Sequence, residues 1–358
     1  MLAVMKALIG NSTFRFSAIA PTDGDLADEL RRLEIPLNAF ATRDDSGKKL
    51  PASVLHENLA NRILAIQPDI LHSNSLSMSR LIGQLPASAC RGVRRTGHLR
   101  DIIKLNKTVV CDLNANDRLV AVSAATKQFH VAQGLNSDRC AVIYNGVDLQ
   151  LFCPRAGCDP SVVSTSQLPV RSKVVLCAGQ ICLRKGQLVL AQAVCQLLQK
   201  RDDIYLMVVG ERHSAKLESI QYEAAIQTQF DTANRASHLH MLGYRSDMHV
   251  LMNAADMLVH ASHQEPFGRT LLEAAASGLP IIATNVGGTS ELLRHEQDAI
   301  LVEPDQPEQL SAAMVRMIDQ PQLAGTLAES ARDRVEQMFS IERAAQELAE
   351  FWNDVASE

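Results

Sequence analysis

Short apolar runs of β character alternate with helical stretches along nearly the whole chain, and the alternation breaks once, between Pro154 and Ser172. Before the break, Phe14–Ala20, Asp69–Ser73, Arg118–Ser123 and Ala141–Tyr144 read as strands. Asp25–Leu33, Val54–Ile66 and Ala124–Gln133 read as helices between them. After it, strands fall at Val174–Ala178, Ile204–Gly210, Leu239–Leu242, Met257–His260, Pro280–Ala283 and Ala299–Val302. Continuous apolar strands separated by helices mean a parallel sheet covered on both faces. A stretch of Pro, Gly, Ser and Thr with little periodicity is a linker. The division is therefore residues 1–153, a linker 154–172, residues 173–338, and a last helix within 339–358 that returns toward the first domain. At 358 residues two cores are expected. Two doubly wound halves face a cleft, and ligands sit at the carboxyl ends of such strands. The closing helices carry Phe351 and the single Trp352, whose rings need somewhere to dock.

Composition removes several classes of function. A net charge of −5 excludes a generally basic nucleic-acid binder, and 4% aromatics argues against base-stacking platforms. No run approaches the ~18 apolar residues of a membrane span. None of the eight cysteines forms a C-x-x-C pair, and Cys153 and Cys158 have no partners at zinc spacing. Reduced thiols in a cytoplasmic protein are the expectation. Met1–Ala20 superficially resembles an export signal, but Asn11, Ser12, Thr13 and Arg15 interrupt its apolar core, so no cleavage is expected.

The most informative segment runs from Glu265 to Glu273, with Pro266, Phe267, Gly268, Arg269 and Thr270 between them. It follows a strand and opens a helix. Gly268 allows close approach of a ligand to the backbone, and the free N–H groups of the helix start favour an anion, most plainly a phosphate. Glu265 on the loop and Glu273 one turn into the helix face one crevice and could hold sugar hydroxyls. A loop followed by a helix with a solvated Glu is the plainer alternative. A second basic segment, Gly179-Gln180-Ile181-Cys182-Leu183-Arg184-Lys185-Gly186, also joins a strand to a helix. Cations at a helix start run against the helix dipole, so a ligand is the better explanation for Arg184 and Lys185.

Glu265 and Glu273 are separated by seven residues, and this block resembles the E-x7-E signature of family 4 retaining glycosyltransferases of GT-B fold. Val142-Ile143-Tyr144-Asn145-Gly146-Val147-Asp148 resembles the N-G-V-D end of that family's first domain. Gly179–Gly186 resembles its phosphate loop, and Asn285-Val286-Gly287-Gly288 with Glu291 its G-G-x-x-E. The resemblance covers about Phe14 to Trp352. It implies a donor site in which Glu273 binds the ribose, and Glu265 with the amides of Phe267 and Gly268 holds the donor sugar. Arg184, Lys185 and the helix start at Arg269 and Thr270, with Gly179, take the diphosphate. It assigns His98, after a strand of the first domain, to the donor sugar and reaction centre. No metal and no cofactor are implied, because Arg and Lys supply the positive charge.

The resemblance also implies a first strand and a glycine-rich loop that this sequence does not show. Met1–Leu8 already reads as the first helix. The expectation is a first domain lacking one central strand. Asp23-Gly24-Asp25 has a metal-binding D-x-D form, but it precedes a helix and reads as an N-cap. Ser123 likewise reads as a helix cap, and His72 as either structural or acceptor-facing. Arg80, Arg91, Arg94, Arg95, Arg100, Lys104 and Lys107 form a basic group suited to an anionic acceptor or one carried at the inner membrane face. A solvated basic face explains them equally.

The resulting expectation is a retaining hexosyltransferase, using a nucleoside-diphosphate sugar (UDP in preference to GDP). The acceptor would be a saccharide or lipid-linked saccharide in surface polysaccharide or glycoconjugate synthesis. The alternative is a weak or inactive nucleotide-sugar-binding protein of the same fold. A dehydrogenase is disfavoured because no G-x-G-x-x-G follows any strand.

Overall fold

The computed structural model describes residues 1–10, 13–155, 168–169 and 171–358. Asn11, Ser12, Cys158 and most of the expected linker lie outside the described residues. The chain forms two compact units, Met1–Gly146 with Ile341–Glu358, and Val147–Ser340.

In the first unit the strands are β1 (Ala18–Ala20), β2 (Leu37–Ala39), β3 (Ile70–Ser73), β4 (Arg94–Leu99), β5 (Arg118–Ala121) and β6 (Cys140–Val142). Its helices are α1 (Leu2–Leu8), α2 (Asp25–Arg32), α3 (Ala52–Ile66), α4 (Leu76–Gly83), α5 (Lys107–Asn114) and α6 (Ala124–Val131), with α14 (Ile341–Ser357) from the chain end. All strand pairings are parallel, but they fall into two sheets, β1–β2 and β3–β4–β5–β6. Only Ala18–Ala20 of the expected Phe14–Ala20 strand is extended in a ladder. Phe14 and Phe16 instead stack on each other and meet Trp352 edge-on, with centroids 5.8 and 6.2 Å from its ring. Trp352 and Phe351 are buried in a cluster with Leu8, Val120, Ile143, Leu348 and Val355. At ~25 cal/mol per Å², two aromatic side chains of this size fasten α14 by several kcal/mol.

Two capping expectations diverge. Ser123 Oγ accepts from Thr126 N at 3.0 Å, as a cap should. Neither Asp23 nor Asp25 caps α2: its N-cap is Gly24, with no side-chain bond, and Asp25 is the first helical residue. There Asp25 favours the positive end of the helix dipole rather than an orphan amide.

The second unit holds β7 (Lys173–Ala178), β8 (Ile204–Val209), β9 (Leu239–Met241), β10 (Met257–His260), β11 (Ile281–Thr284) and β12 (Ile300–Val302). They form one parallel sheet in the order β12-β11-β10-β7-β8-β9. Its helices are α7 (Gln187–Leu197), α8 (Leu217–Thr232), α9 (Met248–Ala254), α10 (Arg269–Ala276), α11 (Thr289–Leu292), α12 (Pro307–Asp319) and α13 (Pro321–Met338). Strands β8, β10 and β11 are buried along their whole length, as their uninterrupted apolar runs require. The strand order reverses between β7 and β10, which opens a crevice at their carboxyl ends.

Candidate active site

Both loops at this switch point are tied together residue by residue. Gly179 follows β7 with φ +143°, and the chain then makes a short turn, Leu183–Lys185, before Gly186, the N-cap of α7. Gly186 has φ +65°, and a Cβ there would lie 1.9 Å from Ala261 O. Only glycine satisfies both the left-handed backbone and that approach. The contact presses the β7 loop onto the end of β10. His263 N donates to Arg184 O at 2.9 Å, and Arg184 Nη1 donates to Gln264 O at 3.3 Å. On the other side, Gly288 N of the Gly-Gly turn donates to Glu265 O at 2.9 Å. Three consecutive residues of the β10 loop are thereby pinned.

Glu265 is buried at 6% exposure, and its carboxylate is fully engaged on one oxygen. Lys185 Nζ lies 2.6 Å from Oε2, and His260 Nε2 lies 2.7 Å from the same atom. Burial would raise the carboxyl pKa, but the imidazole and the Lys185 ammonium outweigh it and hold Glu265 well below the usual range. The His260 pKa is pushed below its ordinary value, chiefly by burial. Ser262 Oγ is 2.9 Å from this same Nε2. Since hydroxyl and carboxylate share one ring nitrogen, this is not a hydrolase relay, which needs the two on opposite nitrogens.

Gly268 starts α10 with φ +97°. Leu272 N is the first amide in the helical ladder, bonded to Gly268 O, so the amides of Arg269, Thr270 and Leu271 precede it. Arg269 is exposed and Thr270 half-buried. The Phe267 ring does not face the crevice. It is 1% exposed and packs edge-on against Phe339, centroids 5.4 Å apart, so only its main chain can serve a ligand. The Glu273 side chain is 14% exposed, with Arg269 Nη2 at 3.4 Å. Burial raises its pKa despite Arg269. The second unit thus brings Gly179, Arg184, Lys185, Glu265, Phe267, Gly268, Arg269, Thr270 and Glu273 to the loops around one switch point. His260 and Ser262, which the motif reading passed over, join them.

His98 belongs to the first unit and sits inside β4 rather than after a strand. The run Arg94–Gly97 is polar by composition, yet Thr96–Leu99 are buried between β3 and β5. Among the described residues neither His98 ring nitrogen has a partner, although the side chain is buried. Burial holds its pKa well below the ordinary value. The His72 ring stands edge-on to it, centroids 5.7 Å apart, and burial brings His72 down to about 3. His72 Nδ1 accepts from Trp352 Nε1 at 3.2 Å and lies 2.9 Å from Thr96 Oγ1. The basic group is partly neutralised: Arg80 pairs with Asp112 and Arg95 with Asp117, while Arg100 donates to Asn74 and Asn145. No helix among the described residues is long and apolar enough to cross a membrane, and they contain no cluster of metal-ligand type.

Two units of parallel sheet and helices, the second doubly wound about its switch point, are the architecture of a GT-B protein. The structure superposes on Anabaena HepE bound to UDP and glucose with a TM-score of 0.83, covering 98% of this chain and 95% of that one at 24% identity. It superposes on sucrose-phosphate synthase from Thermosynechococcus elongatus with a TM-score of 0.76, covering 95% and 99% at 19% identity. The profile "Glycosyltransferase Family 4" matches residues 12–151, and "Glycosyl transferases group 1" matches residues 163–334. The chain belongs to the family 4 glycosyltransferases of GT-B fold. D-inositol 3-phosphate glycosyltransferase of Salinispora tropica is 29% identical over 68% of this chain and 52% of its own length. UDP-Gal:alpha-D-GlcNAc-diphosphoundecaprenol alpha-1,3-galactosyltransferase of Escherichia coli is 26% identical over 61% and 54%. The aligned stretch spans little more than half the length of either relative.

Proposed function

We propose that this protein is a retaining glycosyltransferase that takes a hexose from a nucleoside-diphosphate sugar, UDP in preference to GDP. The acceptor is a hydroxyl of a saccharide or lipid-linked saccharide. The observation that carries the reading is the buried Lys185–Glu265 pair joining the two loops at the switch point, 2.6 Å apart. A carboxylate with one oxygen engaged is suited to accept a sugar hydroxyl. The adjacent Arg184 guanidinium, exposed, and the amides at the start of α10 are suited to a diphosphate.

As the glycosidic bond breaks, negative charge grows on the diphosphate. Arg184 and Lys185 favour that charge more than they favour the intact donor, which is the condition for raising turnover. The departing phosphate takes the acceptor proton on the face from which it leaves, so the anomeric configuration is kept. Glu273 binds the ribose. The galactosyltransferase relative and the UDP complex of HepE support the donor class. A synthesis role for surface polysaccharide or glycoconjugate, in the cytoplasm, completes the proposal. The test is a calorimetric screen of UDP-, GDP- and ADP-sugars, followed by nucleotide release with candidate acceptors and determination of the product's anomeric configuration. Binding without release for every acceptor favours the alternative of a non-catalytic nucleotide-sugar-binding protein, and an inverted product refutes the retaining assignment.

A further inference from the structure

His260 lies at the carboxyl end of a wholly buried strand and is itself 3% exposed. Burying an imidazole needs a reason, and its one unusual neighbour is Glu265. A carboxylate is acceptor-only, so the ring nitrogen 2.7 Å from Oε2 carries the proton and donates it. With His260 neutral, the buried trio of His260, Glu265 and Lys185 has no net charge. A second cation beside Lys185 and Arg184 would be costly there.

The two donors to Oε2 differ in what they determine. The Lys185 ammonium is on a flexible stem, at the end of a short turn, with three rotatable N–H groups. It supplies charge but little direction. The His260 N–H is fixed in the ring plane, on a strand between β7 and β11. The strand's end is tied down as well, since Thr284 Oγ1 donates to Ser262 O at 2.5 Å. With both donors on Oε2, no hydrogen bond to Oε1 is present among the described residues.

We propose that His260 is a positioning residue: its Nε2–H fixes the Glu265 carboxylate so that Oε1 alone is presented to a hydroxyl of the donor sugar. The inference rests on the donor reading above. It makes His260 a determinant of affinity for the sugar and not for the nucleotide.

The experiment compares His260→Ala, His260→Gln and His260→Asn with the unmodified full chain. Calorimetry measures UDP and UDP-glucose separately, with GDP and GDP-mannose as the second pair. Gln can bring an amide N–H near the Nε2 position, whereas Asn reaches only the Nδ1 position. For His260→Ala, UDP affinity stays within about twofold, while the extra affinity conferred by the sugar falls by about tenfold, the size of one charge-assisted hydrogen bond. His260→Gln recovers most of that loss and His260→Asn does not. Equal weakening of nucleotide and nucleotide sugar, with Gln no better than Asn, overturns the inference and makes His260 a core residue only. If His260→Ala does not fold, the Gln and Asn pair still decides. If the unmodified protein binds none of these nucleotides, the donor reading itself fails, an outcome visible before any variant is compared.

Discussion

Removing either member of the Lys185–Glu265 pair should destabilise the protein, but by unequal amounts. Both side chains are largely buried, at 14% and 8% exposure, so an abandoned partner cannot simply be solvated. It escapes by changing its proton count, and the cost of that escape caps the loss. In Glu265→Gln the stranded group is the Lys185 ammonium. Deprotonating a lysine at pH 7 costs about 1.36 kcal/mol for each of roughly 3.4 pH units, or about 5 kcal/mol, so a loss of about 3–4 is expected. In Lys185→Met the stranded group is the Glu265 carboxylate, and His260 is already 2.7 Å from it. Protonating an imidazole of ordinary pKa costs about 0.7 kcal/mol at pH 7; burial adds to this and loss of the Lys185 charge subtracts from it, so a loss of about 1–3, smaller than for Glu265→Gln, is expected. The pH dependence follows with a definite sign. Lys185 is one of the charges that hold the His260 pKa down, so in Lys185→Met that pKa rises relative to the unmodified protein, and the proton His260 then takes up offsets part of the loss. The deficit of Lys185→Met relative to the unmodified protein is therefore smallest at low pH and widens as pH rises through the His260 value in the variant. Urea denaturation of both variants at pH 6, 7 and 8 measures this. Equal losses in the two variants, or a Lys185→Met deficit that shrinks as pH rises from 6 to 8, would refute the account of the trio.

Three further outcomes follow from the same site. The folded-state pKa of Glu273 is raised by burial, so its ionised form costs stability at pH 7. Glu273→Gln should therefore raise the unfolding midpoint while weakening UDP by about tenfold through loss of the proposed ribose contact, and a lowered midpoint would contradict the pKa direction. Arg184→Ala removes a cation without touching the Glu265 carboxylate, so nucleotide release should fall by a larger factor than donor affinity. Equal factors would mean plain ground-state binding. Turnover should persist in excess chelator, since Asp23 and Asp25 lie at the start of α2, in the unit that lacks the Lys185–Glu265 pair. Loss of turnover with rescue by manganese or magnesium would reopen the D-x-D reading.

The second unit was easier to read from sequence than the first, for physical reasons. Its strands are fully buried, so Ile204–Val209 and Met257–His260 appear as unbroken apolar runs. Its glycines sit where backbone conformation or close approach leaves little choice, as at Gly186 and Gly268. In the first unit β4 is hidden by its own composition: Arg94, Arg95, Thr96 and Gly97 look like a loop, yet pairing on both sides makes them a strand and puts His98 within it. Phe14 and Phe16 have strand propensity, but the Trp352 ring offered a better burial than a ladder. His260 escaped notice because a histidine ending an apolar run reads as one more core residue. The available signal was its position five residues before Glu265.

The chain passes from one unit to the other at Gly146–Val147 and returns at Ser340–Ile341. The two crossings are fastened together, Val147 N donating to Phe339 O at 3.0 Å and Val147 bridging Ser340 in parallel. In connectivity the second unit is therefore an insertion, and the first is its interrupted host. The consequence is for how the gene can be cut. Residues 147–340 form one continuous segment with its own complete sheet and core, and an expression clone of them should yield a folded fragment. A clone ending at Gly146 would not yield the other half, because Leu348, Phe351, Trp352 and Val355, beyond the second unit along the chain, complete the core around Val120 and Ile143. A short deletion at the carboxyl terminus should thus be felt first by the unit that begins the chain.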